Sequence, residues 1–335
     1  MTSLVLVIVV VGLLLVIGAA QRRSRRVRAV SANLLISYTV IVGMFVLGEI
    51  YFRFFFAESD GIPTLALDNW LDRHWQTNSL GYRDREWMAA DWQDETTVLI
   101  VGDSFTAGWG IDDPRDRFGD VLADQLGADY TVINLGEPGA STVETLANLE
   151  AHPLQTPDHV IIQYTLNDIE NAALSIGLDP GLDPLADLPA WAQESYLGNF
   201  IYWRLSALTG RRASAQPYID WLHAMYDHSV VWAIHEEQIH ALIDAVEARG
   251  ADLGVVIFPD MHDPVGSIAY VDRVAQVFEL RGYGDRVLKL FDLAAAMPPE
   301  ARMVSPRDAH ASAEFHARVG VLLYDLLFAQ AITWR

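Results

Sequence analysis

The stretch from Thr97 to Gly110 constrains the fold of this chain most. Its first five residues, Thr97 to Val101, are apolar or β-branched and run straight into Gly102-Asp103-Ser104. So short an apolar run, bounded by glycine, reads as a strand buried on both faces, as strands are in a parallel sheet. A serine at the carboxyl end of such a strand stands at the rim of the sheet, where open α/β folds keep their ligand crevices. Gly102, Gly108 and Gly110 permit a tight turn there. On this stretch alone two readings stand: a reacting serine, or one that only caps the next helix.

The chain downstream repeats the strand-then-helix rhythm. Pro114 opens a helix carrying Phe118, Val121, Leu122 and Leu126. Tyr130 to Leu135 reads as a second strand, and Ser141 caps a helix to about Glu150. His159 to Tyr164 is a third strand that leads into Thr165-Leu166-Asn167-Asp168. A helix around 232–249 precedes a strand from Leu253 to Phe258, and Arg286 to Phe291 offers one more short strand. Ser312 caps a last helix whose apolar face is Phe315, Val319, Leu322, Leu323 and Leu326. Such alternation specifies an α/β fold with a parallel sheet and right-handed crossovers. Residues 171–231 interrupt it with a Pro/Gly-rich loop and many aromatics, Trp191, Phe200, Trp203, Tyr218, Trp221 and Tyr226 among them. An insert of this length is a candidate lid, and its aromatics are expected mainly to form a small core of their own.

The N-terminus has a different character. Leu4 to Ala20 is unbroken apolar or small sequence, and a second apolar run extends from Ala29 to about Phe56. Between them lies the Arg-rich segment 21–28. Two spans joined by a cationic loop predict a helical hairpin with the loop in the cytoplasm and everything after residue 57 on the far side. Gly18-Ala19-Ala20 also has some likeness to a cleavage site; if residues 1–20 are removed, the second span anchors the body alone. Glu49 stands four residues before Arg53, the spacing of an ion pair near the membrane interface. The chain's net charge is −21, and residues 1–56 hold six Arg against Glu49, a net of +5, which leaves −26 on the rest. A body that acidic argues against nucleic acid as a partner and suits one standing off anionic headgroups. With no cysteine, thiolate metal sites, disulfides and a cysteine nucleophile are excluded. The expected domains are therefore a transmembrane hairpin (1–56, spans about 4–20 and 29–56), a linker (57–96), and an α/β domain (97–335) with the insert at about 171–231.

Four segments fall at strand ends on one rim: Gly102-Asp103-Ser104, Asn134 to Thr142, Leu166-Asn167-Asp168 and Arg307-Asp308-Ala309-His310. A serine hydroxyl needs a base to become a nucleophile, and an imidazole supplies it, oriented by a carboxylate. The oxyanion that follows needs preorganised N–H donors. His262 also follows a strand and is a rival base, while His235 and His240 lie on a helix at a spacing that puts them on different faces. Asp103 and Asp168 read as turn-holding residues.

Together the four segments, in this order, resemble the SGNH, or GDSL, hydrolase superfamily over roughly residues 77–320. The resemblance implies a flavodoxin-like three-layer α/β/α sandwich with no metal or organic cofactor. It implies Ser104 as nucleophile and His310 as base, with an oxyanion hole from the backbone amides of Ser104 and Gly139 and the side chain of Asn167. Asn78 to Asp84 is similar to a segment that precedes the first block in many bacterial members. The family places an Asp three residues before the His; here that position is Arg307, and Asp308 stands two before. Asp308 therefore completes a triad only through a tighter turn, and a Ser–His dyad is the alternative.

The function expected is a membrane-anchored, extracytoplasmic serine esterase of a bacterial inner membrane, acting on a lipid, glycan or other ester. The alternatives are an O-acyltransferase of envelope polysaccharide using the same acyl-enzyme, and a non-catalytic accessory subunit that meets a membrane protein through the hairpin.

Overall fold

Strand β1 (Thr96–Gly102) lies in the middle of a five-stranded sheet, with β2 (Tyr130–Gly136) on one side and β3 (His159–Tyr164) on the other. The structure is a computed structural model that describes residues 2–22, 24–61, 63–93, 95–181, 188–209 and 216–329. β4 (Asp252–Ile257) and β5 (Val287–Lys289) complete the order 2-1-3-4-5, and every pairing is parallel. That is the flavodoxin-type order, with its ligand crevice expected at the carboxyl ends of the strands.

Alternation along β1 explains the layers. Val98 and Ile100 point into a core shared with Phe118, Leu122, Phe258, Phe315 and Val319. Leu99 and Val101 point the opposite way, into a core with Leu149, Ile162, Ile239, Val255 and Phe278. All four β1 residues are fully buried, each contributing roughly 1.5–3 kcal/mol of apolar burial. Helices Phe118–Leu126 and Ala313–Leu327 cover the first face, and Thr142–Ala151, Ser229–Ala248 and Ile268–Leu280 the second. The arrangement is the expected α/β/α sandwich.

Several boundaries differ from the sequence reading for local reasons. Pro114 begins only a short 3-10 turn capped by Asp113, because Arg117 is extended, and the helix proper starts at Phe118. The last strand is cut to three residues because helix Phe291–Ala296 follows at once. The different faces expected of His235 and His240 do not leave His235 in solvent: it is buried, and its Nε2 is hydrogen-bonded with the Tyr164 hydroxyl at 2.6 Å.

Contacts divide the chain into two units. One comprises Met1–Glu58, Ile62–Asp72 and Asp183–Ser214; the other, which holds the sheet, comprises Ser59–Gly61, Arg73–Leu182 and Ala215–Arg335. In the first unit, helix α1 (Thr2–Ala20) packs against helix α2 (Arg25–Phe54). Tyr38 donates its hydroxyl to the Ile8 carbonyl, and Gly18 lets Ser31 approach. α2 is long and apolar enough to cross a membrane, while Ile8–Ala20 in α1 is a shorter apolar stretch. Glu49 makes the expected ion pair with Arg53 at 2.8 Å. Its carboxylate also accepts from the backbone N–H groups of Tyr196 and Leu197 and from the Ser195 hydroxyl. It thus caps helix Tyr196–Thr209, whose first N–H groups have no intrahelical acceptor.

Among the described residues the aromatic insert does not form one core. Trp203 packs with Leu188 and Ala192, and Phe200 lies against Phe52 and Phe56 at the end of α2. Tyr218, Trp221 and Tyr226 join the core of the sheet. Residues 182–187 and 210–215 of the expected insert lie outside the described residues.

Two buried histidines make the fold acid-sensitive. Burial, with Arg117 nearby, pushes His316 down to about 3, and its Nδ1 accepts the Phe118 N–H at 3.0 Å. Burial pushes His235 down to about 4. Both stay neutral in the fold while the unfolded chain takes up protons below a pH of about 6.5. Their stabilisation is therefore complete above that pH and is lost as the pH falls toward the folded values. Urea titrations in detergent at pH 7.5 and 5.0 should show roughly 2 kcal/mol of lost stability per histidine. The loss should shrink in His316→Gln and His235→Gln, and equal slopes in all three proteins would contradict it.

Candidate active site

Ser104 is the first residue of the short helix Ser104–Ala107, directly beyond β1. Asp103 caps that helix by accepting the Phe105 N–H at 2.8 Å, and Gly108 ends it in the left-handed conformation. The turn can be this sharp because β2 makes room for it. A Cβ on Gly136 would lie 2.2 Å from the Ala107 nitrogen, so the helix backbone rests on a bare glycine. Asn134 Nδ2 further donates to the Thr106 carbonyl at 2.7 Å.

His310 comes from the loop that precedes helix Ala313–Leu327. Its Nε2 lies 2.9 Å from Ser104 Oγ, and its Nδ1 lies 2.5 Å from Asp308 Oδ1. The same Oδ1 accepts the backbone N–H of His310 at 3.1 Å. A tight turn therefore brings Asp308 to the imidazole from two positions upstream. Asp308 has no solvent exposure. Burial pushes its carboxyl up, but the facing imidazole, its hydrogen bonds and the Ser59 hydroxyl outweigh that and hold it below the usual carboxylate range. It is accordingly a carboxylate at neutral pH, able to fix the imidazole tautomer that leaves Nε2 free to accept from serine. Phe105 and Trp109 lie against the imidazole, with ring centroids 5.1 and 6.0 Å away.

The expected oxyanion donors stand on the same rim. The Ser104 N–H occupies the first helical position, where no intrahelical acceptor exists. Gly139 lies three residues beyond Gly136, which pairs with Gly102. Asn167 lies in the turn Leu166–Ile169 just beyond β3. The Thr165 hydroxyl touches both Asn167 Oδ1 and, at 2.6 Å, Asp103 Oδ2. A hydroxyl has one proton to give, and that of Thr165 goes to Asp103 Oδ2. Burial raises the Asp103 carboxyl, while the Thr165 hydroxyl and the Phe105 N–H lower it, and burial pushes Asp168 well up, with the Asp103 charge adding to it.

The rival residues stand elsewhere. His262 is exposed in a turn held by Asp260. His235 is locked between Tyr164 and Gln238. Among the described residues no group of three or more His, Asp or Glu is placed to hold a metal ion.

Other contributors were not assigned from the sequence. Arg83 is buried and donates to the carbonyls of Gly108 and Ile111 at 2.6 and 2.7 Å, pinning the loop that follows the serine helix. Burial and the charge of Arg117 lower it to about 10, so it stays cationic at neutral pH. The segment Asn78 to Asp84 held the signal for Arg83. Nothing in the sequence singled out Ser59, which donates its hydroxyl to Asp308 Oδ2.

The model of the GDSL-like Lipase/Acylhydrolase family matches residues 100–318. Among solved structures, TesA is similar at 17% identity, covering 69% of this chain and 98% of its own, with a TM-score of 0.43. The psychrotrophic esterase EstA from Pseudoalteromonas sp., in a form inhibited by monoethylphosphonate, is similar at 16% identity, covering 71% and 100%, with a TM-score of 0.43. A carbohydrate acetylesterase family member from Sinorhizobium meliloti is similar at 16% identity, covering 69% and 99%, with a TM-score of 0.37. No curated protein matches the chain.

If Asp308 orients the imidazole, Asp308→Ala should lower kcat on an activated ester by about 10²–10⁴-fold and leave KM within a few-fold. Unchanged steady-state kinetics would instead favour the Ser–His dyad.

Proposed function

The chain belongs to the GDSL-like lipase/acylhydrolase family, and on that premise we propose that it is a membrane-anchored serine esterase working through Ser104, His310 and Asp308. The observation that carries this reading is the continuous chain Asp308 Oδ1–His310 Nδ1 and His310 Nε2–Ser104 Oγ, at 2.5 and 2.9 Å. The Ser104 oxygen attacks the ester carbonyl while its proton passes to His310 Nε2. The oxyanion takes hydrogen bonds from the N–H groups of Ser104 and Gly139 and from the Asn167 amide. Collapse breaks the bond to the alcohol oxygen, which leaves with the proton from His310, and the acyl group stays on Ser104. Water, deprotonated by the same imidazole, then attacks the acyl carbonyl, and collapse breaks the bond to Ser104 Oγ, which takes the proton back from His310 as the carboxylic acid departs. Asp308 stabilises the imidazolium in both halves.

Transfer to a sugar hydroxyl needs only that an acceptor replace water in the second half. A water-excluding aromatic insert would favour that outcome. The aromatics Tyr218, Trp221 and Tyr226 are instead committed to the core of the sheet, so hydrolysis is the preferred reading. The accessory-subunit reading has less support, since a scaffold has no need of an aligned serine, imidazole and buried carboxylate.

Anchoring is read from α2. Ile36, Met44 and Leu47 are each more than 60% exposed, and so long an apolar helix with none of its residues buried requires an apolar surrounding. With α1 as a second span, the Arg-rich segment 21–28 stays in the cytoplasm and the sheet domain lies outside the cytoplasmic membrane. The bilayer and an ester substrate are then the partners, with the hairpin open to a membrane protein.

Two measurements test this. Ser104→Ala and His310→Ala should each lower kcat on a short-chain p-nitrophenyl ester by at least ~10³-fold in folded protein; retained turnover would overturn the assignment. Protease added to intact spheroplasts should digest the sheet domain, and its protection would overturn the topology.

A further inference from the structure

Three consecutive residues, Ser59-Asp60-Gly61, belong to the unit that holds the sheet, although the chain leaves α2 only a few residues earlier, at Phe54. In the sequence they look like linker. In the fold each of them meets Arg307 or Asp308. Ser59 Oγ donates to Asp308 Oδ2. Asp60 Oδ1 accepts from Arg307 Nε at 2.8 Å and also from its Nη2. Gly61 has φ +65, and a Cβ there would lie 2.9 Å from the Arg307 carbonyl oxygen and 3.3 Å from Asp308 Oδ1. Ser59 and Asp60 are 2% and 4% exposed, so no solvent takes the place of these contacts.

From this we infer that Ser59 and Asp60 are positioning residues for the catalytic acid, a strap that holds Asp308 in register with His310. The inference rests on the reading of Ser104, His310 and Asp308 as the reacting set. Its physical basis is the placement of the carboxylate. With acid and base only two residues apart, one short turn carries both, and Oδ1 is already used by the side chain and the backbone N–H of His310. Oδ2 is the oxygen left to determine the rotation of the carboxylate about its Cβ–Cγ bond. Ser59 takes it. Arg307 occupies the position where the family has its acid, and its half-buried guanidinium gives the buried Asp60 carboxylate the partner that a buried charge requires. The departure from the family's spacing and the strap are thus complementary. Because the strap is continuous in sequence with α2, the segment that leaves the proposed membrane span also completes the catalytic site.

The test compares the full-length chain in detergent with Ser59→Ala, Ser59→Thr, Asp60→Asn and Ser104→Ala, measuring kcat and KM on p-nitrophenyl acetate and thermal unfolding. Ser59→Ala should lose about ten-fold in kcat with KM unchanged, as expected when a reacting group is misoriented without loss of substrate contacts. Ser59→Thr keeps the hydroxyl and should recover most of kcat, and Asp60→Asn should lower kcat in the same sense. A Ser59→Ala protein with wild-type kcat would overturn the strap. So would equal losses in Ser59→Ala and Ser59→Thr, or a loss of thermal stability with no change in kcat. If wild type and Ser104→Ala turn over alike, the reading of the reacting set fails, and the strap fails with it.

Discussion

A carboxylate removed entirely from water must have a hydrogen-bond donor at each oxygen, and the site depends on how Asp308 meets that demand. The cost of burying a lone carboxylate is several kcal/mol, and leaving it unpartnered would protonate it and remove its hold on the imidazole. His310 supplies two donors to Oδ1, and Ser59 supplies one to Oδ2. Ser305 fixes the same turn from behind, accepting the Asp308 N–H on its hydroxyl at 3.0 Å. The carboxylate is stable as a charge only in the geometry that also aligns His310 with Ser104.

A second buried cluster supports the opposite side of the serine. Asp103 accepts the Thr165 hydroxyl at 2.6 Å and the Phe105 N–H, and burial raises its carboxyl. Asp168 completes the turn by accepting the Thr165 N–H at 2.9 Å and the Thr142 hydroxyl at 3.0 Å. The site therefore sets two kinds of carboxyl beside one serine. One is held ionised by donors, and the others are pushed toward the neutral form by burial. Differences in environment, with identical side-chain chemistry, separate their roles.

The sheet was legible because its strands are short, apolar on both faces and bounded by glycine or by helix caps such as Ser141 and Ser312. These are local signals. Ser104, Gly139 and Asn167 were placed on one rim because each follows a strand, and parallel strands deliver their carboxyl ends to the same side. His310 comes instead from the loop ahead of the last helix, two helices beyond the last strand. What stayed hidden depends on contacts between residues far apart in the chain. Ser59 lies 249 residues from Asp308, and nothing in its own neighbourhood marks it. His235 was read only from its spacing to His240 on one helix, whereas the Tyr164 hydroxyl that meets its ring comes from another element. Glu49 was legible as half of an ion pair with Arg53, but its capping of a helix begun at Tyr196 was not. The aromatic insert was misjudged for the same reason: hydrophobic content shows that rings will be buried, not which core will receive them.

The most direct test of the central claim is covalent. Full-length protein in detergent would be treated with a fluorophosphonate, and the modified residue located by peptide mass spectrometry, with the adduct then solved at atomic resolution. The account predicts a single phosphonyl group on Ser104 Oγ, its oxygen within hydrogen-bond distance of the Ser104 and Gly139 N–H groups and of Asn167 Nδ2. An adduct on any other residue, an adduct whose oxygen points away from those donors, or no adduct on folded protein would contradict it.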